Sequence, residues 1–134
     1  MAIWAKEQFA DRAAAGRALA ERVATNLGGS AVQSRPLVVA LPRGGVPIAA
    51  KVAQVIGGDL DLLVVRKIAA PGRPEFGVGA LAEDGEPIFD HDSLDRLGLT
   101  EADLAETVRS ERAEARRRAD RYRPGRSGLD VRDR

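Results

Sequence analysis

Leu37-Val38-Val39-Ala40-Leu41-Pro42-Arg43-Gly44-Gly45-Val46-Pro47 decides how this chain is read. Leu37 to Leu41 has no polar alternation, as expected of a strand covered on both faces. From Pro47 to Ile56 the apolar residues recur with helical spacing, and Gly57-Gly58 close the segment. The order is therefore strand, glycine-rich turn, helix. Such a turn can aim backbone N–H groups at one point in front of a helix N-terminus, where the dipole favours an anion. Gly44 and Gly45 carry no Cβ to hold a ligand off, and Arg43 offers a planar fork of donors matched to phosphate oxygens. Pro47 suits the first helical turn, where a missing N–H costs nothing. Two readings fit Pro42, Arg43, Gly44, Gly45 and Val46: a cradle for phosphate or pyrophosphate, or a tight turn bearing a surface arginine.

Working outward, Leu60 to Val65 predicts a second strand parallel to the first, which closes one βαβ unit. Upstream, Asp11 predicts the cap of a helix to Leu27 with a stripe of Ala15, Leu19, Val23 and Leu27, and Ser30 to Pro36 is a connection. Downstream, the prolines and glycine between Arg66 and Phe76 predict a loop. Gly77 to Ala82 and Glu86 to Phe89 predict a hairpin around Glu83-Asp84-Gly85. Asp92 predicts the cap of a short turn from Ser93 to Leu97. Thr100, with Asp103 three residues on, predicts the start of a long helix ending near Tyr122, its inward stripe being Leu104, Val108, Ala115, Ala119 and Tyr122. The fold class is α/β: a Rossmann-like parallel βαβ core, a β-hairpin and a long C-terminal helix.

A length of 134 residues suits one domain, 1–134. Aromatic residues make up 4% of the chain, so the core must be aliphatic. There is no cysteine, which excludes disulfides and thiolate chemistry and fits a reducing compartment. The opening residues, Met1 to Glu7, do not resemble a secretory signal, and no apolar run is long enough to span a bilayer. The expected location is cytoplasmic, with no membrane partner. The net charge of +1 conceals an excess of arginine after residue 108, where ten basic side chains face five acidic ones. These arginines could bind nucleic acid. The scarcity of aromatic stacking residues and the i,i+4 pair Glu114–Arg118 favour a solvated, internally paired helix face instead. Gly77-Val78-Gly79-Ala80-Leu81-Ala82 formally fits a dinucleotide pattern, but a Pro-rich segment precedes it and a Glu-Asp-Gly turn follows, so no helix starts there. His91 is the only histidine, which argues against zinc, and no protein-ligated metal site is expected.

Several segments occur together and in order: Phe9-Ala10-Asp11-Arg12 with Ala15-Gly16; Leu41 to Pro47; Val65-Arg66-Lys67; Ala70-Pro71-Gly72-Arg73-Pro74-Glu75; Gly77-Val78-Gly79-Ala80; and Glu114, Arg116-Arg117-Arg118, Tyr122-Arg123. In this combination the chain resembles the type I phosphoribosyltransferases, and within them a small bacterial group named predicted phosphoribosyltransferases. The resemblance implies transfer of 5-phosphoribosyl from phosphoribosyl pyrophosphate to an acceptor such as a nucleobase, with release of pyrophosphate. It places the pyrophosphate on Pro42, Arg43, Gly44, Gly45 and Val46. It also implies that Arg66 and Lys67 lie near the leaving group, that Glu75 belongs to the catalytic set, and that Ala69 to Phe76 closes over the reacting centre. Mg²⁺ bound with the substrate is the implied cofactor. The family's acidic strand end and Ala-Thr-Gly type ribose-phosphate loop have no counterpart here: the threonines are Thr25, Thr100 and Thr107, and none precedes a glycine. The expectation is a domain incomplete at its C-terminus, near Asp130 to Arg134. Such a chain would keep the pyrophosphate half of the site and be inactive alone, and its uncovered strand edge would lead to self-association, a swapped arrangement or low stability. The competing functional classes are a non-catalytic pyrophosphate- or nucleotide-binding module and an Arg-rich nucleic-acid-binding regulator.

Overall fold

The computed structural model describes residues 8–28, 35–125 and 130–132. The connection expected at Ser30–Pro36 lies outside them up to residue 34, as do the opening segment 1–7 and most of the tail after Pro124-Gly125. The chain is α/β and divides into two compact units, Met1–Leu62 with Asp130–Arg134, and Leu63–Leu129.

The first unit contains α1 (Arg12–Leu27), β1 (Leu37–Ala40), α2 (Val46–Ile56) and β2 (Asp59–Leu62). The expected βαβ order is present: β1 and β2 pair in parallel, from Leu37 opposite Asp59 to Ala40 opposite Leu62. The second strand stops at Leu62 and not at Val65. Its apolar run has no internal break, but β1 offers only four residues to pair with before the chain turns at Leu41-Pro42. The Asp11 carboxylate accepts a hydrogen bond from the Ala14 N–H at 2.7 Å and caps α1, as the sequence predicts.

The buried face of α1 keeps half of the expected stripe: Ala15 and Val23 are partly buried, and Val23 packs against the core. Gly16 and Ala20 are buried, whereas Leu19 and Leu27 are 47% and 43% exposed. A Cβ on Gly16 would lie 3.3 Å from Ile48 Cα and 3.2 Å from Lys51 Cβ, so α1 and α2 touch almost backbone to backbone. Further along both helices, Ala20 joins Val52 and Ile56 in a core cluster with Val23, Ala24 and Val38 packed against it. Contact positions rise together along the two helices, which therefore run parallel, N-terminus beside N-terminus. Small residues form the seam because close approach gains dispersion contacts that bulky ones would prevent.

The second unit is an antiparallel sheet, β3 (Val65–Ala70), β4 (Arg73–Ala82) and β5 (Ile88–Phe89), in that spatial order. Helix α3 (His91–Leu97), a 3₁₀ turn (Glu101–Leu104) and helix α4 (Ala105–Tyr122) complete it. The expected hairpin between residues 77–82 and 86–89 is present as the β4–β5 pair. The expected loop from Arg66 to Phe76 is instead β3, a tight turn and the start of β4. Gly72 takes φ +70°, the left-handed conformation that suits the position after proline in a turn. Register shifts between Ile68 and Ala70 leave Pro74 to Phe76 out of the pairing, so Pro74 removes no ladder hydrogen bond.

The core of this unit joins Val64, Ile68, Val78, Leu81, Leu94, Leu104, Ala115 and Ala119. Leu104, Ala115 and Ala119 of the expected α4 stripe are buried and Val108 is partly so, while Tyr122 is 39% exposed. Asp90, not Asp92, caps α3: its carboxylate accepts from the Ser93 N–H and hydroxyl, which holds its pKa below the usual value. Thr100 and Asp103 form a complete capping box, with the Thr100 N–H donating to Asp103 at 2.8 Å.

Candidate functional site

The turn between β1 and α2 contains Pro42, Arg43, Gly44, Gly45 and Val46 in consecutive positions. Some of its amides are already used. The Gly45 N–H donates to Leu41 O at 3.1 Å and the Val46 N–H to Arg43 O at 3.3 Å, which closes the turn. The N–H groups of Arg43 and Gly44, at the exposed apex, have no acceptor among the described residues. The cradle is thus two free amides, not the full row that the glycine pattern suggests. A Cβ on Gly45 would stand 2.8 Å from Leu41 O, closer than real Cβ contacts, so the turn's tightness depends on that glycine. The Pro42–Arg43 peptide bond is cis.

The electrostatics favour an anion. Gly45 is the N-cap of α2 and supplies no side-chain cap, and the helix has no acidic residue in its first turn. Its positive dipole end is therefore uncompensated by carboxylate. Arg43 is exposed and has no ion-pair partner among the described residues. Because α1 lies beside α2 in parallel, its first residue also reaches the turn: Arg12 Nε and Nη2 lie 3.6 and 3.8 Å from where a Gly44 Cβ would be. Reasoning from the sequence missed Arg12. The signal was its i,i+4 spacing from Gly16, the residue at the helix seam, which sets both on one face.

The other expected site residues belong to the second unit and do not form one group there. Arg66 and Lys67 are neighbours on β3, so they point to opposite faces. Arg66 Nε donates to Glu111 of α4 at 2.7 Å, with both side chains about three-quarters buried. Lys67 Nζ donates to Pro74 O at 2.8 Å, its stem lying over Gly77. Both cations therefore brace the β3–β4–α4 unit. Glu75 is exposed on β4, outside the paired register.

Of the six arginines of α4, Arg109, Arg117 and Arg118 are ion-paired among the described residues, as is Arg123 just after the helix. Glu114 binds Arg117 and Arg118 at 2.8 and 2.7 Å, Glu106 binds Arg109, and the buried Arg123 and Glu83 pair with each other. Hydrogen bonds from Arg117 and then Arg118 lower the Glu114 pKa from 4.5 to about 2. A folded-state value below the unfolded one gives stability that is complete above 4.5 and lost as pH falls through about 2. Thermal melts from pH 6 to pH 2 should therefore show a smaller acid-side drop for Glu114→Gln than for the parent chain; equal drops would contradict the pairing.

No protein-family model matches the chain. It is 42% identical over 123 residues to a protein of Mycobacterium tuberculosis named Putative phosphoribosyl transferase, found in strain CDC 1551 / Oshkosh as MT0597 and in strain H37Rv as Rv0571c. The match covers 92% of this chain and 27% of those relatives, so the chain spans about a quarter of their length. Among solved structures, TT1426 from Thermus thermophilus aligns with a TM-score of 0.72 and 39% identity, covering 91% of this chain and 55% of that one. Among the described residues no helix is long and apolar enough to cross a membrane. With its strand–turn–helix unit intact and 42% identity across 92% of its length, the chain is similar to proteins named Putative phosphoribosyl transferase, of which it spans about a quarter.

Proposed function

We propose that this chain supplies the pyrophosphate-binding part of a phosphoribosyltransferase, holding the diphosphate of phosphoribosyl pyrophosphate on the turn from Pro42 to Val46. The observation that carries this reading is the turn's exposed apex, in front of the N-terminus of α2: two backbone N–H groups and the Arg43 guanidinium, all without partners among the described residues. The kinship with proteins named phosphoribosyl transferase supplies the reaction class. Cleaving the bond between ribose C1 and pyrophosphate builds charge on the leaving group. Fixed N–H donors and a guanidinium favour that charge more than they favour the ground state.

Among the described residues no group of three or more His, Asp or Glu side chains is placed to hold a metal. Mg²⁺ would accordingly enter on the phosphate oxygens of its ligand, as a small, strongly hydrated cation does with few protein contacts.

Calorimetric titration with magnesium pyrophosphate tests the proposal. Binding is expected, and Arg43→Ala should weaken it about ten- to a hundredfold, the worth of one charge-assisted hydrogen-bonding group. No binding by the parent chain, or identical binding by Arg43→Ala, would remove the turn from the site.

A further inference from the structure

We infer that Arg12, at the first position of α1, is a second ligand-binding guanidinium and makes the turn selective for a diphosphate over a single phosphate. The inference rests on the pyrophosphate reading above. α1 and α2 run parallel and in contact at Gly16, which places Arg12 one turn before the seam and beside the apex of the loop. Its guanidinium lies over Gly44, on the side where a Cβ would project and where the missing Cβ leaves the backbone open. Arg43 stands on the same turn, one residue earlier in sequence.

Arg12 has no ion-pair partner among the described residues, although Asp11 is its neighbour. The Asp11 carboxylate is turned to the Ala14 N–H, and α1, like α2, has no acidic residue in its first turn. A cation at the first position of a helix opposes the helix dipole, and a second cation and a second helix N-terminus nearby add to the cost. A dianion or trianion between the two arginines would reverse each of these repulsions. One phosphate can occupy the apex amides and one guanidinium. In this arrangement a second, covalently joined phosphate meets the other guanidinium, for which Arg offers the bidentate geometry.

The test compares magnesium pyrophosphate and orthophosphate by calorimetry for the parent chain, Arg12→Ala, Arg12→Lys and Arg43→Ala. Arg12→Ala should lose about ten- to a hundredfold in pyrophosphate affinity and much less in orthophosphate affinity. Arg12→Lys should recover part of that loss. The thermal melt should stay close to the parent's, because the Asp11 cap and the Gly16 seam are untouched. A structural role alone would move the melt and leave the ratio of the two affinities unchanged, which would overturn the inference. Pyrophosphate affinity lost in Arg43→Ala but kept in Arg12→Ala would overturn it while leaving the turn assignment standing. A parent chain that binds no pyrophosphate would end both.

Discussion

Arg123→Ala is expected to cost the second unit ~3–5 kcal/mol, the usual penalty for removing one partner of a buried ion pair. Arg123 and Glu83 are 4% and 5% exposed, and their side chains are bonded to each other. Arg123 follows the end of α4 and Glu83 follows the end of β4, so the pair fastens the long helix to the hairpin. Arg116 adds a bond from its Nε to Glu83 O at 3.4 Å, and the Glu83 N–H donates to Val64 O at 3.2 Å. Truncating the arginine leaves the Glu83 carboxylate buried without its counter-charge, which is where the cost arises. The loss is a large share of a stability that is typically about 5–15 kcal/mol for a whole domain. Urea unfolding should show a lower midpoint for Arg123→Ala and for Glu83→Ala. The double change Glu83→Leu with Arg123→Met should be milder than either single truncation, since it leaves no buried charge alone. A midpoint unmoved by Arg123→Ala would show that the pair does not hold the unit together.

Gly45→Val should disable the turn. Its Cβ would meet Leu41 O at 2.8 Å and Leu41 N at 3.4 Å, both backbone atoms, which cannot swing aside like the end of a flexible side chain. Relief requires moving the turn itself, at ~1–3 kcal/mol by analogy with overpacked sites. Movement there breaks the Gly45 N–H to Leu41 O bond and shifts the free amides of Arg43 and Gly44. Pyrophosphate affinity should then fall about a hundredfold, as displacements near 1 Å do to positioned groups. Gly44→Ala is the control: the nearest atom to its Cβ would be Arg12 Nε at 3.6 Å, an ordinary contact, so the melt should be nearly unchanged. Parent-like pyrophosphate affinity in Gly45→Val would detach the binding site from this turn.

The local signals in this chain were legible residue by residue. Asp11 and the Thr100–Asp103 box cap helices because their side chains bond N–H groups three residues away. The run from Leu37 to Pro47 is strand, turn and helix because its apolar block, glycines and proline act within one turn of themselves. Where an element stops, when a partner from elsewhere in the chain decides it, was not legible. The second strand stops at Leu62 because β1 has no further residue to pair. Pro74 is tolerated at the head of β4 because the register shift leaves it without a ladder bond to lose.

The same division runs through the candidate site. Composition and order alone settled the α/β class and the presence of an arginine beside a glycine turn, since both follow from chemistry confined to a dozen neighbouring residues. Which face of α1 is buried, and that Arg12 leans over Gly44 while Arg66 is tied to Glu111, were fixed by packing. Each depends on the distance between groups far apart in the chain, and a one-dimensional pattern does not encode that distance.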